Sequence, residues 1–423
     1  MSLTLESMKE FTPPSTLASV ESIRAQFPAL TRLEGHHPVA YFDGPGGTQV
    51  PRRVADAMAD YLLHHNANTH WSYPTSAETD ALLHNARVVL ADFLGADAGE
   101  ISFGANMTTI LFHIARAIGR TLSPGDEIIV TELDHHANIA PWQALARERG
   151  AVLRWLPLDL ETSRHEVGGL ERLLSSRTRV VAIGAASNIL GTISDVRSLI
   201  STARAAGAIT VVDAVHYAPH AHLNVREIGA DFVLCSAYKF YGPHVGVCYG
   251  RHGATAALDL PRLQPAPDFV PECLETGTQN HEGIIGAAAA VEFLASQVAG
   301  TDRRVRLDTV MAGLHERGEL LFRQLWDGLG AIPSVTLYGP PPGTPRTPTL
   351  SFRVVGHVSE DVAKALVPRG VYLSHGDFYA TTVAQRLGVT DEGLVRAGCA
   401  CYTTSDEVAR LVDGVRDLVA GAL

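Results

Sequence analysis

Four segments decide the fold: TRVVAIGAAS (178–187), DVRSLISTARAAG (195–207), AITVVDAVH (208–216) and DFVLCSAYK (231–239). Three of them are apolar runs of strand length, whereas residues 195–207 place their apolar side chains at helical spacing. Strands rich in Val and Ile are typical of parallel sheets, because the connecting helices cover both faces of the sheet. The segments therefore predict a mostly parallel α/β sheet.

The same alternation continues between about residues 100 and 250. Further strands are predicted in GEISFG (99–104), SPGDEIIVTE (123–132), AVLRWLPL (151–158) and HVGVCYG (244–250), and helices in NMTTILFHIARAIGR (106–120) and NIAPWQALARERG (138–150). In sheets of this kind, ligands collect at the carboxyl ends of the strands. Residues at those strand ends are therefore candidates for a functional site.

A different pattern begins near residue 300. A long helical stretch (301–329) precedes strands in VTLYG (335–339), TPTLSFRVV (347–355), VYLSHG (371–376) and LVRAGCACY (394–402), with a helix in SEDVAKALVPRG (359–370) and another at the end of the chain. Thr404 and Glu407 have the spacing of a capping box for that last helix. We predict a large domain over 41–298, a smaller α+β domain over 299–423, and an N-terminal segment, 1–40, that packs with the smaller domain.

Composition excludes several classes of function. The formal charge of −11 over 423 residues argues against general nucleic-acid binding, which needs a basic face. No apolar run approaches the roughly 18 residues of a membrane span. The N-terminal sequence MSLTLESMKEFTPPST has no basic flank followed by an apolar stretch, so it does not resemble a secretory signal. We expect a soluble cytoplasmic protein.

The five cysteines form neither a CxxC pair nor a spacing suited to zinc; they are Cys235, Cys248, Cys273, Cys399 and Cys401. Cys399 and Cys401 are two apart in a predicted strand, so both are expected on one face as buried thiols, with a redox role as the alternative. The 19 histidines include adjacent pairs rather than pairs at i, i+4 spacing. We predict no metal site.

Lysine is rare in this chain, and one lysine ends an apolar strand. The three lysines are Lys9, Lys239 and Lys364, against 31 arginines. Arginine can replace lysine at most surface positions, but its guanidinium does not serve as an imine-forming amine at neutral pH. Asp213 ends a neighbouring predicted strand, so an amine and a carboxylate face one crevice. Pyridoxal 5'-phosphate (PLP) uses this pair, the amine to bind its aldehyde and the carboxylate to keep its pyridine nitrogen protonated. A structural ion pair between Asp213 and Lys239 is the alternative.

Five motifs around these residues resemble the fold-type I, class V aminotransferase group: TELDHHANIAPW (131–142), SNILGT (187–192), VVDAVH (211–216), SAYKFYGP (236–243) and ETGTQN (275–280). They are most similar to the group II cysteine desulfurases and their desulfurase-like relatives. The resemblance extends from FDGPGGTQVP (42–51) to CYTTSDEV (401–408), nearly the whole chain. It implies a PLP enzyme whose large domain holds a mostly parallel, seven-stranded sheet covered by helices.

The resemblance also implies roles for individual residues around the cofactor. Lys239 would bind PLP covalently and act as a catalytic base, and His135 would stack on the ring and shuttle protons. The other implied cofactor contacts are Asp213 at the pyridine nitrogen, Asn188 and His216 near the phenolic oxygen, and Ser236, Tyr238, Asn106, Met107 and Thr108 at the phosphate. The family usually has threonine where this chain has Met107, so only its backbone is expected to contribute.

Substrate contacts and a dimer follow from the same resemblance. Arg396 corresponds to the arginine that binds the substrate α-carboxylate, a task suited to a bidentate guanidinium. His70, with Trp71 and Tyr73, corresponds to further residues of the substrate pocket. Thr278 corresponds to a residue that reaches the phosphate of the neighbouring subunit, which implies a homodimer with shared active sites.

One loop departs from the desulfurase pattern. Desulfurases carry a sulfur-accepting cysteine where this chain has SHGDFYATT (374–382), with Tyr379 near that place and Ser374 where an arginine is usual. We predict Tyr379 as a further substrate-binding residue. The missing thiol makes persulfide transfer improbable and favours α,β-elimination from a cysteine S-conjugate, a carbon–sulfur β-lyase reaction. Transamination, epimerisation or decarboxylating oxidative deamination of an amino-acid unit in secondary metabolism is the alternative. A catalytically inert PLP-fold protein is a third, minor possibility.

Overall fold

The computed structural model describes residues 17–166 and 168–422. Its largest sheet has seven strands, which in spatial order are Ile101–Gly104, Gly246–Gly250, Phe232–Ser236, Ile209–Asp213, Thr178–Gly184, Glu127–Thr131 and Val152–Leu156. All neighbouring pairs are parallel except the two that Gly246–Gly250 makes, which are antiparallel. The predicted mostly parallel seven-stranded sheet is therefore confirmed.

Apolar side chains from both faces of this sheet enter two separate clusters. Val181, Ile183 and Val212 pack on one side, whereas Val180 and Val211 pack on the other. Successive residues of a strand point to opposite faces, so this alternation requires helices on both sides. The helices of this part of the chain are Arg52–Asp60, Pro74–Leu94, Met107–Gly119, Ala140–Arg149, Gly169–Leu173, Val196–Ala205, Val225–Ile228, His252–Ala256 and His281–Ala295.

A second, antiparallel sheet lies in the C-terminal third. Its strands in spatial order are Val335–Tyr338, Thr349–Val354, Leu394–Gly398 and Ser374–Gly376. The helices of this region are Arg303–Gly330, Ser359–Leu366, Thr381–Leu387 and Ser405–Val419, and the capping box of Thr404 and Glu407 on the last of them is confirmed. Short two-residue strands pair Leu33–Glu34 with His37–Pro38, Ala40–Tyr41 with Val371–Tyr372, and Leu158–Asp159 with Arg164–His165. Near the N-terminus a short helix spans Val20–Arg24.

Two details of the C-terminal prediction are wrong. The predicted strand 371–376 is two strands with different partners, because Val371–Tyr372 pairs with Ala40–Tyr41 and Ser374–Gly376 pairs with Leu394–Gly398. The strand that holds Arg396 ends at Gly398, so Cys399 and Cys401 lie beyond it rather than on one strand face. Both thiols are nevertheless buried, Cys399 in an apolar cluster that includes residues of the helix Ser405–Val419 and Cys401 in the cluster that includes Tyr402.

The proposed domain boundaries near residues 40 and 298 remain a prediction. Residues 1–16 of the predicted N-terminal segment lie outside the described residues. The described part of that segment contacts both regions: Ala18 N–H donates to Gln297 O (2.8 Å), and Ala40 pairs with Val371. Among the described residues no helix is long and apolar enough to cross a membrane.

Candidate functional site

A cavity of about 320 Å³ lies at the carboxyl ends of the parallel strands. Asp213 ends the strand Ile209–Asp213, and Lys239 ends the short 3-10 turn Ala237–Lys239 that follows the neighbouring strand Phe232–Ser236. Eight other predicted cofactor residues line the same cavity: Asn106, Met107, Thr108, His135, Asn188, His216, Ser236 and Tyr238. The sequence motifs therefore meet at one place.

Lys239 is buried in this cavity with an amine that does not pair with Asp213. Its Nζ donates to the carbonyl oxygens of Pro45 and Gly46, the latter at 2.9 Å, and lies 4.9 Å from the centroid of the Tyr238 ring. Burial, reinforced by the nearby charge of Arg396, lowers the Lys239 pKa to about 7. A substantial fraction of this amine is therefore uncharged at neutral pH, which imine formation requires.

Asp213 is a buried carboxylate with little to compensate its charge. Its Oδ1 accepts the backbone N–H of Val215 at 2.9 Å. Burial raises the Asp213 pKa to about 6, although that hydrogen bond and Lys239 act in the opposite direction. A protonated pyridine nitrogen against this carboxylate would restore the missing partner charge. The alternative of a structural ion pair is not supported, because Asp213 and Lys239 form no salt bridge in the described structure.

His135 begins the turn after the strand Glu127–Thr131. Its Nδ1 accepts the backbone N–H of Ala137 at 3.0 Å. Burial, together with the charges of Lys239 and Arg396, lowers the His135 pKa to about 4. The ring is therefore neutral at pH 7, and because Nδ1 is an acceptor, its proton is on Nε2.

Asn188 and His216 connect the cavity to the C-terminal region. Asn188 Nδ2 donates to Phe378 O at 2.9 Å, while its buried Oδ1 has no partner among the described residues. His216 Nε2 lies 2.9 Å from Thr347 Oγ1 and 3.2 Å from Thr349 Oγ1. A buried polar atom without a partner is uncommon, and Asn188 lines the cavity, so a polar ligand bound there could supply the missing partner.

The N-terminus of the helix Met107–Gly119 forms one end of the cavity. Its first amides are only partly used: Met107 N–H donates to Ser236 Oγ (3.0 Å) and Thr109 N–H to the N-cap side chain of Asn106 (2.9 Å). These bonds leave the Thr108 amide without a partner among the described residues. A helix N-terminus with a free amide is suited to bind a phosphate. The Met107 side chain is buried in the core, as expected if only its backbone contributes.

Arg396 lies next to the cavity, beneath the loop 374–382. Its Nη1 donates to Asn188 O at 3.0 Å, and its buried Nε has no partner among the described residues. Burial lowers the Arg396 pKa to about 9, so the guanidinium is still charged at pH 7. Tyr379, mostly exposed, places its ring 5.6 Å from the His135 ring. Of the predicted substrate residues, Arg396 and Tyr379 are thus beside the cavity, although neither forms its wall.

The remaining predicted residues lie elsewhere in the same chain. His70, Trp71 and Thr278 line a second cavity of about 640 Å³, and Tyr73 precedes the helix Pro74–Leu94 near it. His70 has the left-handed φ of +66°, and Asp80 holds it there by accepting its backbone N–H (3.1 Å) and lying 3.3 Å from Nδ1. These residues therefore cannot be assigned to the Lys239 cavity of their own chain.

Sequence reasoning missed several residues around the site. Pro45 and Gly46 bind Lys239 through main-chain carbonyls, which no side-chain pattern reveals. His244 lines the cavity and stacks on Tyr238, with ring centroids 4.9 Å apart, and it follows directly after the motif SAYKFYGP. Because His244 directly follows this motif, the sequence could have predicted it as a cavity residue.

Taken together, the cavity offers groups that match PLP at each of its functional parts. Lys239 supplies an amine for the aldehyde, Asp213 a carboxylate for the ring nitrogen, and the amide of Thr108 a donor for the phosphate. His135 supplies a flat neutral ring at the side of the cavity. The residues present therefore fit the cofactor.

Comparisons with known proteins agree with this fit. The chain is 32% identical over 413 residues to a cysteine desulfurase of Pectobacterium atrosepticum, covering 94% of this chain and 97% of that one. It is 33% identical over 410 residues to the aminotransferase-like protein FGM3 of Gibberella zeae, covering 94% and 98%. The structure of a cysteine desulfurase from Thermococcus onnurineus superposes with a TM-score of 0.87 at 28% identity, covering 96% of this chain and all of that one.

The Escherichia coli cysteine desulfurase CsdA superposes with a TM-score of 0.83 at 29% identity, over 96% of this chain and all of that one. The sequence model of the family described as Aminotransferase class-V matches residues 40–411. That match spans both sheets and every predicted cofactor residue. The chain belongs to the class V aminotransferase family and is a PLP-dependent enzyme.

Proposed function

We propose that this enzyme is a carbon–sulfur β-lyase that acts by α,β-elimination on a cysteine S-conjugate. The observation that carries the proposal is the placement of the cysteines. All five are buried, none lies in the loop 374–382, and burial raises the pKa of each thiol. A sulfur-accepting cysteine needs an accessible thiolate, whereas elimination needs none.

Lys239 has the central role in the proposed reaction. When bound, PLP supplies an electron-accepting ring that stabilises the charge developing at the substrate Cα. Lys239 Nζ takes the proton as the Cα–H bond breaks, and the electron pair forms a Cα–Cβ double bond while the Cβ–S bond breaks. The sulfur leaves as a thiolate that takes up a proton, and the released enamine reacts with water to give pyruvate and ammonia.

Arg396 is suited to contact the α-carboxylate of the substrate, and His135 is suited to contact the departing sulfur. Arg396 would bind the α-carboxylate through its unpaired guanidinium edge, since a charged donor in a buried site binds a carboxylate strongly. The His135 ring lines the cavity and lies 5.6 Å from the Tyr379 ring, and its Nε2–H can donate a hydrogen bond that stabilises the departing thiolate. The proton that the thiolate takes up is the one that Lys239 Nζ removed from Cα. Tyr379 would cover the leaving group from the solvent side.

We also propose that the enzyme works as a homodimer with shared active sites. His70, Trp71 and Thr278 lie together on a second cavity rather than beside Lys239. Trp71 and the neighbouring Tyr73 expose 63% and 45% of their surface, which is unusual for large aromatic side chains unless a partner covers them. A second copy of this chain that brings this surface to the Lys239 cavity would complete both sites.

A product assay tests the proposed reaction. Purified enzyme would be incubated with cysteine, cystine and a panel of cysteine S-conjugates, while pyruvate and free thiol are measured. We expect pyruvate and thiol from at least one S-conjugate and no product with Lys239→Ala, while Lys364→Ala, which changes an exposed lysine, stays active. Absence of both products across the panel would overturn the proposal, and consumption of a keto acid or release of carbon dioxide would instead support the alternative activities.

A further inference from the structure

The ring of His216 joins the two sheets at the cavity. His216 follows the strand Ile209–Asp213 and lines the cavity with Lys239. Its Nε2 contacts the hydroxyl groups of Thr347 (2.9 Å) and Thr349 (3.2 Å). Thr349 begins the strand Thr349–Val354 of the second sheet, and Thr347 lies two residues before it. All three side chains are buried, so these contacts are not exchanged with water.

The direction of these hydrogen bonds follows from the partners that the hydroxyls have. The Thr347 hydroxyl has two possible acceptors, His216 Nε2 and Gly191 O, and the second lies 3.4 Å from Oγ1. Thr349 Oγ1 has no acceptor other than His216 Nε2 among the described residues. Because a buried hydroxyl left without an acceptor is costly, Thr349 donates to Nε2. Nε2 is then unprotonated.

The charge state of the ring fixes where its proton is. Burial, together with the nearby His220, Arg396, Lys239 and His135, holds the His216 pKa well below its usual range. A neutral imidazole carries one proton, so an unprotonated Nε2 places that proton on Nδ1. Nδ1 has no partner among the described residues, and the ring lines the cavity.

Arg346 holds the two threonines in place. Its buried guanidinium donates to Leu190 O (3.2 Å) and to the carbonyls of Pro340 and Thr349, and stacks 3.4 Å from the centroid of the Phe322 ring. Thr347 N–H donates to Gly191 O at 2.8 Å. The segment 346–349 is therefore tied to the turn 187–192, which also carries Asn188.

We propose that Thr347 and Thr349 are positioning residues that keep the His216 proton on Nδ1, so that His216 presents an N–H donor to the phenolic oxygen of bound PLP. The proposal rests on the role that the family resemblance implies for His216, near that oxygen. It makes the second sheet a part of the cofactor site, because its threonines decide which ring nitrogen can donate. A donor at this oxygen stabilises its ionised form, so the cofactor's visible absorbance reports on it.

Cofactor spectra of matched variants test this role. Replacing both threonines (T347V/T349V) removes the hydroxyls at nearly constant volume, and T347S/T349S keeps them. We expect the valine pair to shift the visible absorbance band and weaken PLP affinity about tenfold, as for loss of one buried hydrogen bond. The serine pair should match the wild type. Ser351→Ala is the control, since its hydroxyl joins the same strand to Ile189 O (2.6 Å) without contacting His216.

A mutant cycle shows whether the threonines act through His216. In a His216→Ala background, the valine pair should cause no further change in spectrum or affinity. An unchanged spectrum and affinity in T347V/T349V, or the same change in the His216→Ala background, would overturn the proposal. A wild-type protein that shows no bound PLP band would instead contradict the proposed role of Lys239, so the two failures are distinguishable.

A second measurement requires neither bound cofactor nor a T347V/T349V variant that folds. The ¹⁵N shifts of histidine-labelled, cofactor-free wild-type protein report which imidazole nitrogen is protonated, and the His216 signals are those lost in His216→Gln. We expect a protonated Nδ1 and an unprotonated Nε2. Protonation at Nε2 would overturn the proposal. Of the single variants, Thr349→Val should perturb these signals more than Thr347→Val.

Discussion

The guanidinium of Arg396 lies 4.0 Å from the centroid of the Phe378 ring, so the predicted carboxylate-binding arginine is covered by an aromatic side chain of the loop 374–382. Phe378 and Tyr379 both have a left-handed φ of +56°. This conformation is unfavourable for residues other than glycine and costs on the order of 1 kcal/mol each. The packing of Phe378 on Arg396 and the bond from Asn188 to Phe378 O offset that cost.

Removing the Phe378 ring should weaken substrate binding. In Phe378→Ala the guanidinium loses its cation–π contact and gains access to water, both of which weaken its hold on a carboxylate. We expect KM for the amino-acid substrate to rise roughly 3- to 10-fold with a smaller change in kcat. Steady-state kinetics measure both, and Phe378→Tyr, which keeps a ring, should behave like the wild type. An unchanged KM in Phe378→Ala would show that the stacking has no role in binding.

The sequence predicted the large sheet correctly, and the residues of its motifs line one cavity, because both depend on local patterns. Asp213 and Lys239 follow apolar strands, and parallel strands bring such ends together. The loop around Phe378 could not be predicted, since two left-handed residues without glycine are stabilised only by tertiary contacts. The same holds for Thr347 and Thr349, whose contact with His216 spans more than 130 residues of sequence.

Covalent attachment of PLP should depend on pH through Lys239. Only the unprotonated amine attacks the aldehyde, and the Lys239 pKa lies at about 7. We therefore expect the rate of attachment to the cofactor-free enzyme to rise as pH increases through about 7 and to level off above it. Appearance of the visible absorbance band measures this rate. Since Arg396 helps to lower this pKa, Arg396→Gln should move the midpoint to higher pH; a midpoint that moves down would contradict this.

Asp213→Asn should stabilise the cofactor-free protein while impairing catalysis. Burial raises the Asp213 pKa from 3.8 to about 6. Ionisation in the folded state is therefore unfavourable: the penalty is absent below about pH 4 and complete above about pH 6. Asparagine removes it, so the free energy of unfolding at pH 8 should rise, on the order of 1–3 kcal/mol, with no gain at pH 4.

Thermal unfolding of cofactor-free protein at both pH values measures this difference. With PLP bound, Asp213→Asn should lose most of its activity because the ring nitrogen loses its carboxylate. Equal melting temperatures of cofactor-free wild type and Asp213→Asn at pH 8 would mean that the buried, ionised Asp213 does not destabilise the folded state.

Mixed dimers test whether active sites are shared between subunits. Lys239→Ala and His70→Ala each inactivate a homodimer if His70 acts at the partner's cavity. After the two proteins are mixed, unfolded and refolded together, a heterodimer contains one intact site. Random pairing in a two-fold dimer should then restore about a quarter of the wild-type activity. Mixtures that stay inactive, although heterodimers are detected by mass, would place His70 and Lys239 in the same chain's site.

The stoichiometry of sulfur and pyruvate tests elimination most directly. Enzyme with bound PLP would be supplied with a cysteine S-conjugate, and thiol, pyruvate and protein-bound sulfur would be measured over the same time course. If the Cβ–S bond breaks by elimination, thiol and pyruvate should appear in equal amounts, with no sulfur on any of the five cysteines. Formation of alanine in place of pyruvate, with sulfur bound to a cysteine of the protein, would contradict the β-lyase assignment.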